Sequence, residues 1–446
     1  MDKKTNNWQI KKLGEVCKTT SGGTPSRKNK NYYSGTIPWV KSGELDRGII
    51  FDTEEKITEE AIKNSSAKIF PKGTLLIALY GATIGKLAFL GVDATTNQAV
   101  CGIYENENII SKYLYYFLLF NKPKLVQQGV GGAQPNISQT ILKDLDLPIP
   151  PLETQHAIVS KIEELFSELD KGIAELKTAQ QQLKTYRQSV LKSAFEGKLT
   201  EEWRKNNVNI DSVESLIYNL KNDKKNLKTK TRSEITDEEQ NELFSIPNSW
   251  KWIRNEEYLY EVKDGTHDTP KYISDGIPFV TQKNIKNSGL TLDDIQYISE
   301  EEHKKYYQRS NVTKGDILIS MIGHNRGMSV IVDTDRVFSI KNVGLFKFNH
   351  KYQLNKFSYY FYQSKVALNI ILKKSKGGAQ PFIGLTELRN WPVVVCSLEE
   401  QHQIVEEIES RLSVADKMEQ SIQESLQKAE ALRQSILKKA FCGELV

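Results

Sequence analysis

The chain has 446 residues, 39% of them hydrophobic and 26% charged, with a formal net charge of +5. That length accommodates two to four domains, each able to bury its own core, and the composition is ordinary for a soluble globular protein. No segment holds the ~18 consecutive apolar residues of a membrane span, and the mild positive balance permits nucleic-acid binding without requiring it, because surplus lysines also serve as solvated surface.

Residues 1–150 read as a first mixed module of strands and helices. Ile37-Pro38-Trp39-Val40, Gly73 to Ala78 and Lys86 to Leu90 are short apolar runs bounded by Gly and Pro, the pattern of buried strands, while Ser111 to Phe120 reads as a helix. Residues 151–199 read as a spacer helix. From Ile158 its positions Ile162, Leu165, Leu169, Gly172, Leu176, Ala179, Leu183, Tyr186 and Val190 follow at steps of four and three, the 3.5-residue period of a coiled-coil seam. The stretch from Ile158 to Ala194 makes a rod of ~55 Å at 1.5 Å per residue, and Gly197 stands where the helix should stop.

Residues 200–245 are dense in Lys, Glu, Asn and Asp and read as a solvated, charged linker. Leu216, Ile217 and Leu220 allow one short helix inside it, and Lys221 to Lys228 carries the weaker alternative of a nucleic-acid contact. Residues 246–396 repeat the order of the first module with Ile277-Pro278-Phe279-Val280, Gly315 to Ser320 and Met328 to Val332. Residues 397–446 read as a second spacer helix. Its weaker seam runs through Ile404, Ile408, Arg411, Ala415, Met418, Ile422, Ser425, Ala429, Leu432 and Ile436, and Gly443 ends it.

The repeat is explicit in three places. Gly131-Gly132-Ala133-Gln134-Pro135 returns as Gly377-Gly378-Ala379-Gln380-Pro381, Leu152-Glu153-Thr154-Gln155-His156 as Leu398-Glu399-Glu400-Gln401-His402, and Ala194-Phe195-Glu196-Gly197-Lys198-Leu199 as Ala440-Phe441-Cys442-Gly443-Glu444-Leu445. All share an offset of 246, and 29 of the 69 positions between the ends of these motifs are identical. Two copies of one module held by a fixed spacer suit a bipartite target, and a two-fold duplex such as DNA is the obvious candidate.

Several chemistries are missing from the sequence. Gly81 to Leu87 has neither the spacing of a phosphate-binding loop nor a hydroxyl after Lys86. Pro150-Pro151 is followed by Leu152, so the Pro-Pro-aromatic grip of an adenine amino-methyltransferase is absent. Glu54-Glu55-Lys56 echoes part of a metal nuclease site, but such triplets arise by chance in a chain rich in Glu and Lys. Cys17, Cys101, Cys396 and Cys442 are scattered without Cys-x-x-Cys, so reduced thiols are expected and no metal site. His156 and His402 occupy matching helix entries, where capping or packing accounts for them better than base catalysis. The polar start from Met1 to Asn7 lacks the apolar core of a signal peptide, which leads us to expect a cytoplasmic protein.

The duplicated helix entries, the stretch Ser193 to Trp203, the two Gly-Gly-Ala-Gln-Pro segments and the module start Pro247-Asn248-Ser249-Trp250 together resemble specificity subunits of Type I restriction-modification systems, over essentially the whole chain. The resemblance implies an α+β chain in which two similar mixed α/β target-recognition domains, 1–150 and 246–396, are separated by two long helices packed as an antiparallel coiled coil with an internal pseudo-two-fold. It implies that each domain reads one half of an interrupted double-stranded DNA site, and that the helices set the gap and dock two modification subunits, with restriction subunits joining the full complex. The chain itself is then expected to bind no cofactor and no membrane. S-adenosylmethionine for methylation of adenine N6, and ATP and Mg²⁺ for translocation and cutting, belong to the partners. A fused methyltransferase or nuclease is the alternative, disfavoured because no segment is left over to house it; a coiled-coil scaffold that binds proteins alone is another. The two copies also depart from each other: Arg411 and Ser425 stand where the first seam has Leu165 and Ala179, and Arg254-Asn255-Glu256 replaces Leu13-Gly14-Glu15.

Base readout in the major groove needs Arg or Lys for guanine, Asn or Gln for adenine, and small or hydroxyl residues on loops that approach closely. In the first module the candidates are Ser21, Thr24, Arg27, Lys28, Asn29 and Lys30, then Lys41 and Ser42, then Tyr80, Thr83 and Lys86. In the second they are Thr266, His267 and Lys271, then Gln282, Lys283 and Asn284, then His324, Asn325 and Arg326. Asn97-Gln98 and Lys341-Asn342 are further candidates. An ordinary polar turn is the alternative for each, and lysines more often hold phosphates than bases. Because the loops differ, the two half-sites are expected to differ.

Overall fold

The apolar runs bounded by Gly and Pro are strands. The computed structural model describes residues 8–129, 136–208, 211–225, 227, 233–378 and 380–446. The chain divides into two compact units, one formed by 1–178 with 422–446 and the other by 179–421.

The first unit holds β1 (Gln9–Lys12), β2 (Thr19–Ser21), β3 (Ile37–Val40), β4 (Ile49–Ile50), β5 (Lys56–Ile57), β6 (Ile69–Phe70), β7 (Leu75–Ala78), β8 (Leu87–Leu90), β9 (Ala94–Thr96), β10 (Val100–Ile103) and β11 (Asp146–Ile149). They form one sheet in the order β2-β10-β7-β8-β4 and a second in the order β5-β3-β9-β6, while β1 pairs antiparallel with β11 and ties the module's start to its end. All four residues of β7 are buried because its sheet is covered on both faces. Leu76 and Ala78 pack with Val40, Phe70 and Ala94 on one side, and Leu75 and Ile77 join Tyr113, Leu114 and Phe117 on the other. The helix bearing those rings runs Ser111–Gln127, past the apolar run and through Pro123.

The second unit repeats the plan. It holds β12 (Lys251–Arg254), β13 (Glu261–Asp264), β14 (Ile277–Val280), β15 (Ile285–Lys286), β16 (Gly289–Leu290), β17 (Gln296–Ile298), β18 (Ile317–Ser320), β19 (Ser329–Ile331), β20 (Ser339–Ile340), β21 (Val343–Lys347) and β22 (Pro392–Val395). The order β13-β21-β18-β19 matches β2-β10-β7-β8, β12 pairs with β22 as β1 does with β11, and the parallel pair β14-β20 matches β3-β9.

Two 44-residue helices, Leu152–Phe195 and Leu398–Phe441, pass from one unit into the other. Within the first unit Ile158, Ile162 and Phe166 share a core with Ile436, Leu437, Ala440 and Phe441, so the start of one helix lies beside the end of the other. Within the second unit Ile404 and Ile408 share a core with Val190, Leu191, Ala194 and Phe195 in the same antiparallel sense. Each Ala-Phe motif plugs a module: Phe441 meets Tyr113, Phe117 and Phe120 with ring centroids 5.2, 5.5 and 5.7 Å away. Phe195 meets Phe357 and Phe361 at 5.4 and 5.2 Å.

The seam departs from the expected one at Tyr186 in the first helix and at Arg411, Met418 and Leu432 in the second, all of which are exposed. Ile158, Ile162, Val190, Ile404, Ile408, Ile422 and Ile436 are buried as expected, and Leu165, Leu169, Leu176 and Leu183 are half-buried. Met418, Leu432 and Tyr186 are instead 53%, 50% and 43% exposed. The residue after each of the four, Arg187, Leu412, Glu419 and Arg433, is half-buried instead, while Phe166, Ile173, Gln180 and Leu426 widen the seam beside Leu165, Gly172, Ala179 and Ser425, which keep their places. Steps of four then three satisfy a 3.5-residue period as well as steps of three then four. The arrangement adopted turns Arg187 and Arg433 toward carboxylates of the facing helix.

Two more expectations are corrected. His156 and His402 are exposed, and the buried member of each helix entry is the preceding glutamine. Gln155 donates to the Asn108 and Pro150 carbonyls and accepts from the Ile110 amide; Gln401 donates to the Cys396 carbonyl and accepts from the Leu354 amide and the Tyr258 hydroxyl. The charged stretch after the first long helix is not simply solvated. Val213, Leu216 and Leu220 of the helix Val213–Asp223 are buried in the second unit's core, and Lys224 donates to the carbonyls of Glu256 and Leu259 at 2.5 and 2.7 Å. Asn226 and Lys228 of that stretch lie outside the described residues, as do Met1 to Asn7, Gly131 to Pro135 and Ala379 of the sequence motifs. Among the described residues no helix is long and apolar enough to cross a membrane.

Candidate nucleic-acid interface

Each module brings its polar loops together by the same backbone crossing. In the first unit the chain leaving β2 runs against β9, with the Gly22 amide donating to the Val100 carbonyl and the Gly23 amide to the Thr96 carbonyl. A Cβ on Gly22 would lie 2.1 Å from the Thr96 oxygen, so only glycine permits this approach. In the second unit Gly265 and Thr266 repeat the contacts with Val343 and Ile340, and a Cβ on Gly265 would lie 2.2 Å from the Ile340 oxygen. The crossing sets Thr24 on Gln98 in one unit and His267 on Asn342 in the other.

Several candidates in the first unit are occupied by neighbours. The Arg27 guanidinium grips Glu55 at 2.5 and 3.2 Å and lies over the rings of Tyr33 and Trp39 at 4.2 and 5.0 Å. Lys41 bonds Glu54 and Glu55 at 2.9 and 3.1 Å, so these two acids of the Glu-Glu-Lys triplet brace a loop. The Arg27 guanidinium, seconded by Lys41, holds the Glu55 carboxyl below its ordinary value. Lys86 pairs with Asp46 at 3.0 Å, Ser21 accepts from the Gln139 amide at 2.8 Å, and Asn29 caps the turn at Asn31. Lys28 and Lys30 are exposed, Ser42 is half-buried, and Tyr80, 42% exposed, bridges to Asn136 while accepting from the Thr83 hydroxyl.

In the second unit Asp264 is the centre of a cluster. Its carboxylate accepts from Arg309 at 2.6 Å and faces His267 Nε2 at 3.1 Å, while His267 Nδ1 faces Asn342 Oδ1 at 2.7 Å. Thr266 is buried at the crossing, and the Lys271 amide donates to Glu302. Asn284 caps the turn beginning at Thr281, and Lys283 is exposed beside it. Gln282 rests against Gly323, and its Oε1 is buried with no partner among the described residues. His324 and Asn325 are exposed at the same turn, whereas Arg326 bonds Ser375 and the Gly323 carbonyl and so stiffens the turn from within.

The residues that residue-type reasoning missed follow the Gly-Gly-Ala-Gln-Pro motifs. Asn136 bridges to Tyr80, and Phe382 bridges to Ile322. The duplication of the motif was the signal for them. The first module thus sets Tyr80, 42% exposed, beside the polar Asn136, and the second sets Ile322 beside Phe382, also 42% exposed.

The family model for the Type I restriction modification DNA specificity domain matches residues 5–178 and 247–428. The chain is 29% identical over 356 residues to the Type I restriction enzyme EcoBI specificity subunit of Escherichia coli, covering 79% of this chain and 69% of that protein. It is 26% identical to the MjaIX specificity subunit of Methanocaldococcus jannaschii, covering 98% of this chain and 94% of the relative. Among solved structures, a chain from work on complex assembly and conformational transition of the type I R-M system has TM-score 0.69 at 18% identity, with 98% of both chains covered. The HsdS subunit from Thermoanaerobacter tengcongensis has TM-score 0.50 at 18% identity, with 98% of this chain and 97% of that one covered.

Proposed function

Because the chain belongs to the Type I restriction-modification DNA specificity family, whose specificity subunits are non-catalytic, we propose that each of its two target-recognition domains reads one half of an asymmetric, interrupted DNA site. One observation carries the asymmetry: the same backbone crossing presents Thr24, Gln98 and Asn136 in one domain and His267, Asn342 and Phe382 in the other. Different donors, acceptors and apolar surface on a common scaffold select different bases. Exposed Lys28, Lys30 and Lys283 hold phosphates and set register.

The long helices set the gap between half-sites and dock two modification subunits. Those subunits supply S-adenosylmethionine and methylate adenine N6, and restriction subunits supply ATP- and Mg²⁺-dependent translocation and cleavage. The complex acts in the cytoplasm, on double-stranded DNA. Its test is electrophoretic binding of the chain, with and without modification subunits, to genomic and random duplexes. The complex is expected to prefer one bipartite sequence by ~10³-fold or more and to weaken as salt rises; equal affinity for every duplex would refute the proposal.

A further inference from the structure

We propose that the cleft beside Phe382 in the second domain reads the major-groove edge of a thymine, with the Asn342 amide nitrogen donating to O4 and the C5-methyl group entering the apolar wall. The proposal rests on the DNA-reading role argued above and names one contact within it.

The cleft is a cavity of about 300 Å³ at the rim of the module. Met321, Ile322, Phe382, Ile383 and Leu385 make its apolar side, and Asp264, His267 and Asn342 its polar side. Backbone bonds fix the apolar wall: the Gly323 amide donates to the Pro381 carbonyl, the Ile383 amide to the Met321 carbonyl, and Lys376 and Phe382 exchange a pair of bonds. Asn342 is equally fixed, with a left-handed backbone at φ 53° and its amide donating to the Thr266 carbonyl.

The imidazole decides what Asn342 can offer a base. Its Nδ1 meets Asn342 Oδ1 at 2.7 Å while Nε2 meets Asp264, which Arg309 holds from the other side. Asn342 Oδ1 and the Asp264 carboxylate both accept, so this arrangement has the imidazole donating from both ring nitrogens, and with its carbonyl end so engaged the Asn342 side chain presents its NH₂ end alone. Asparagine grips adenine by using both ends at once, donating to N7 and accepting from N6. That grip is closed here. A lone donor faces an acceptor, which rejects the cytosine N4 amino group, and among bases with a major-groove acceptor only thymine sets a methyl group beside it. The first domain lacks the combination. Tyr80 and Asn136 stand at the positions of Ile322 and Phe382, and Gln98, which accepts from the Thr24 hydroxyl, stands at the position of Asn342.

The experiment uses the complex with its modification subunits and a duplex bearing its own methylated site. Each thymine of the second half-site is replaced singly by deoxyuridine, which removes the methyl group and nothing else. One position should weaken binding about four-fold, the worth of one buried methyl group, and Phe382→Ala should abolish that difference. Asn342→Asp presents an acceptor in place of the donor, so methylation mapped in cells carrying it should change from thymine to cytosine at the same position, with the first half-site unaltered. A second half-site without thymine, or deoxyuridine tolerated at every position by the unaltered complex, would overturn the contact while leaving the specificity reading intact. Absence of any bipartite methylated motif would overturn both. If Asn342→Asp fails to fold, the deoxyuridine series on the unaltered complex decides alone.

Discussion

Arg187 of the first long helix closes on Asp416 of the second at 2.6 Å, with Glu419 at 2.8 Å. Shifted by the 246-residue repeat, Arg433 closes on Asp170, so each unit contains the same ion pair once. Both arginine side chains are 24% exposed, but Asp416 and Asp170 are 67% and 61% exposed, which limits what the pairs contribute. Arg187→Ala and Arg433→Ala should each lower stability by about 1 kcal/mol. Arg433 also lies over the Phe166 ring at 4.8 Å, a contact its counterpart lacks because Leu412 stands there, so its loss should be the larger. Shifts in denaturant midpoint measure both, and the double variant should be close to the sum.

These pairs also mark where the sequence was legible and where it was not. The strands and the repeat were readable because Gly and Pro punctuate them and because two copies vary independently around one pattern. The seam was misread at these two places because charged side chains are taken as solvated; Arg187 and Arg433 belong to it, and Tyr186 and Leu432 beside them do not. The linker was misread for the same reason, its lysines outnumbering the buried Val213, Leu216 and Leu220. Residue type flagged Arg27 and Lys41 as readers but gave no hint that both close on Glu55, since a partner is a property of the fold.

Glu400 is a heavily used carboxylate of the second unit. It is 1% exposed and accepts from the Thr200 hydroxyl, Arg204 Nε and Trp250 Nε1 at 2.8, 2.9 and 2.8 Å. Glu400→Ala strands three donors and should cost roughly 3 kcal/mol or more. The corresponding Thr154→Ala in the first repeat, at a half-buried threonine, should cost far less. Thermal unfolding of the two variants checks the difference.

Lys224 gives a pH signature. Burial brings its ammonium down to about 8 from an ordinary 10.5, against the pull of Glu256 and Glu257. Between those values the unfolded chain holds a proton that the folded chain has released, so stability rises with pH across that window and the full cost of the buried charge is felt below it. Relative to Lys224→Met, the unaltered protein should gain roughly 2–3 kcal/mol between pH 8 and 10.5. Urea midpoints at stepped pH measure it.

The seam predicts how the gap is set. Four residues inserted midway along the first long helix add ~6 Å, against ~3.4 Å per base pair, and should lengthen the gap by about one or two base pairs. Both half-sites should keep their bases. Methylation mapping of the variant reads gap and half-sites together, and altered half-sites with an unaltered gap would contradict the spacer role.

The most direct measurement is single-molecule sequencing of methylated adenines in host DNA, with the gene present and deleted. One interrupted, asymmetric motif should lose its N6 methylation on deletion, giving both half-sites and the gap at once. A methylome that keeps every motif after deletion would contradict the assignment of DNA specificity to this chain.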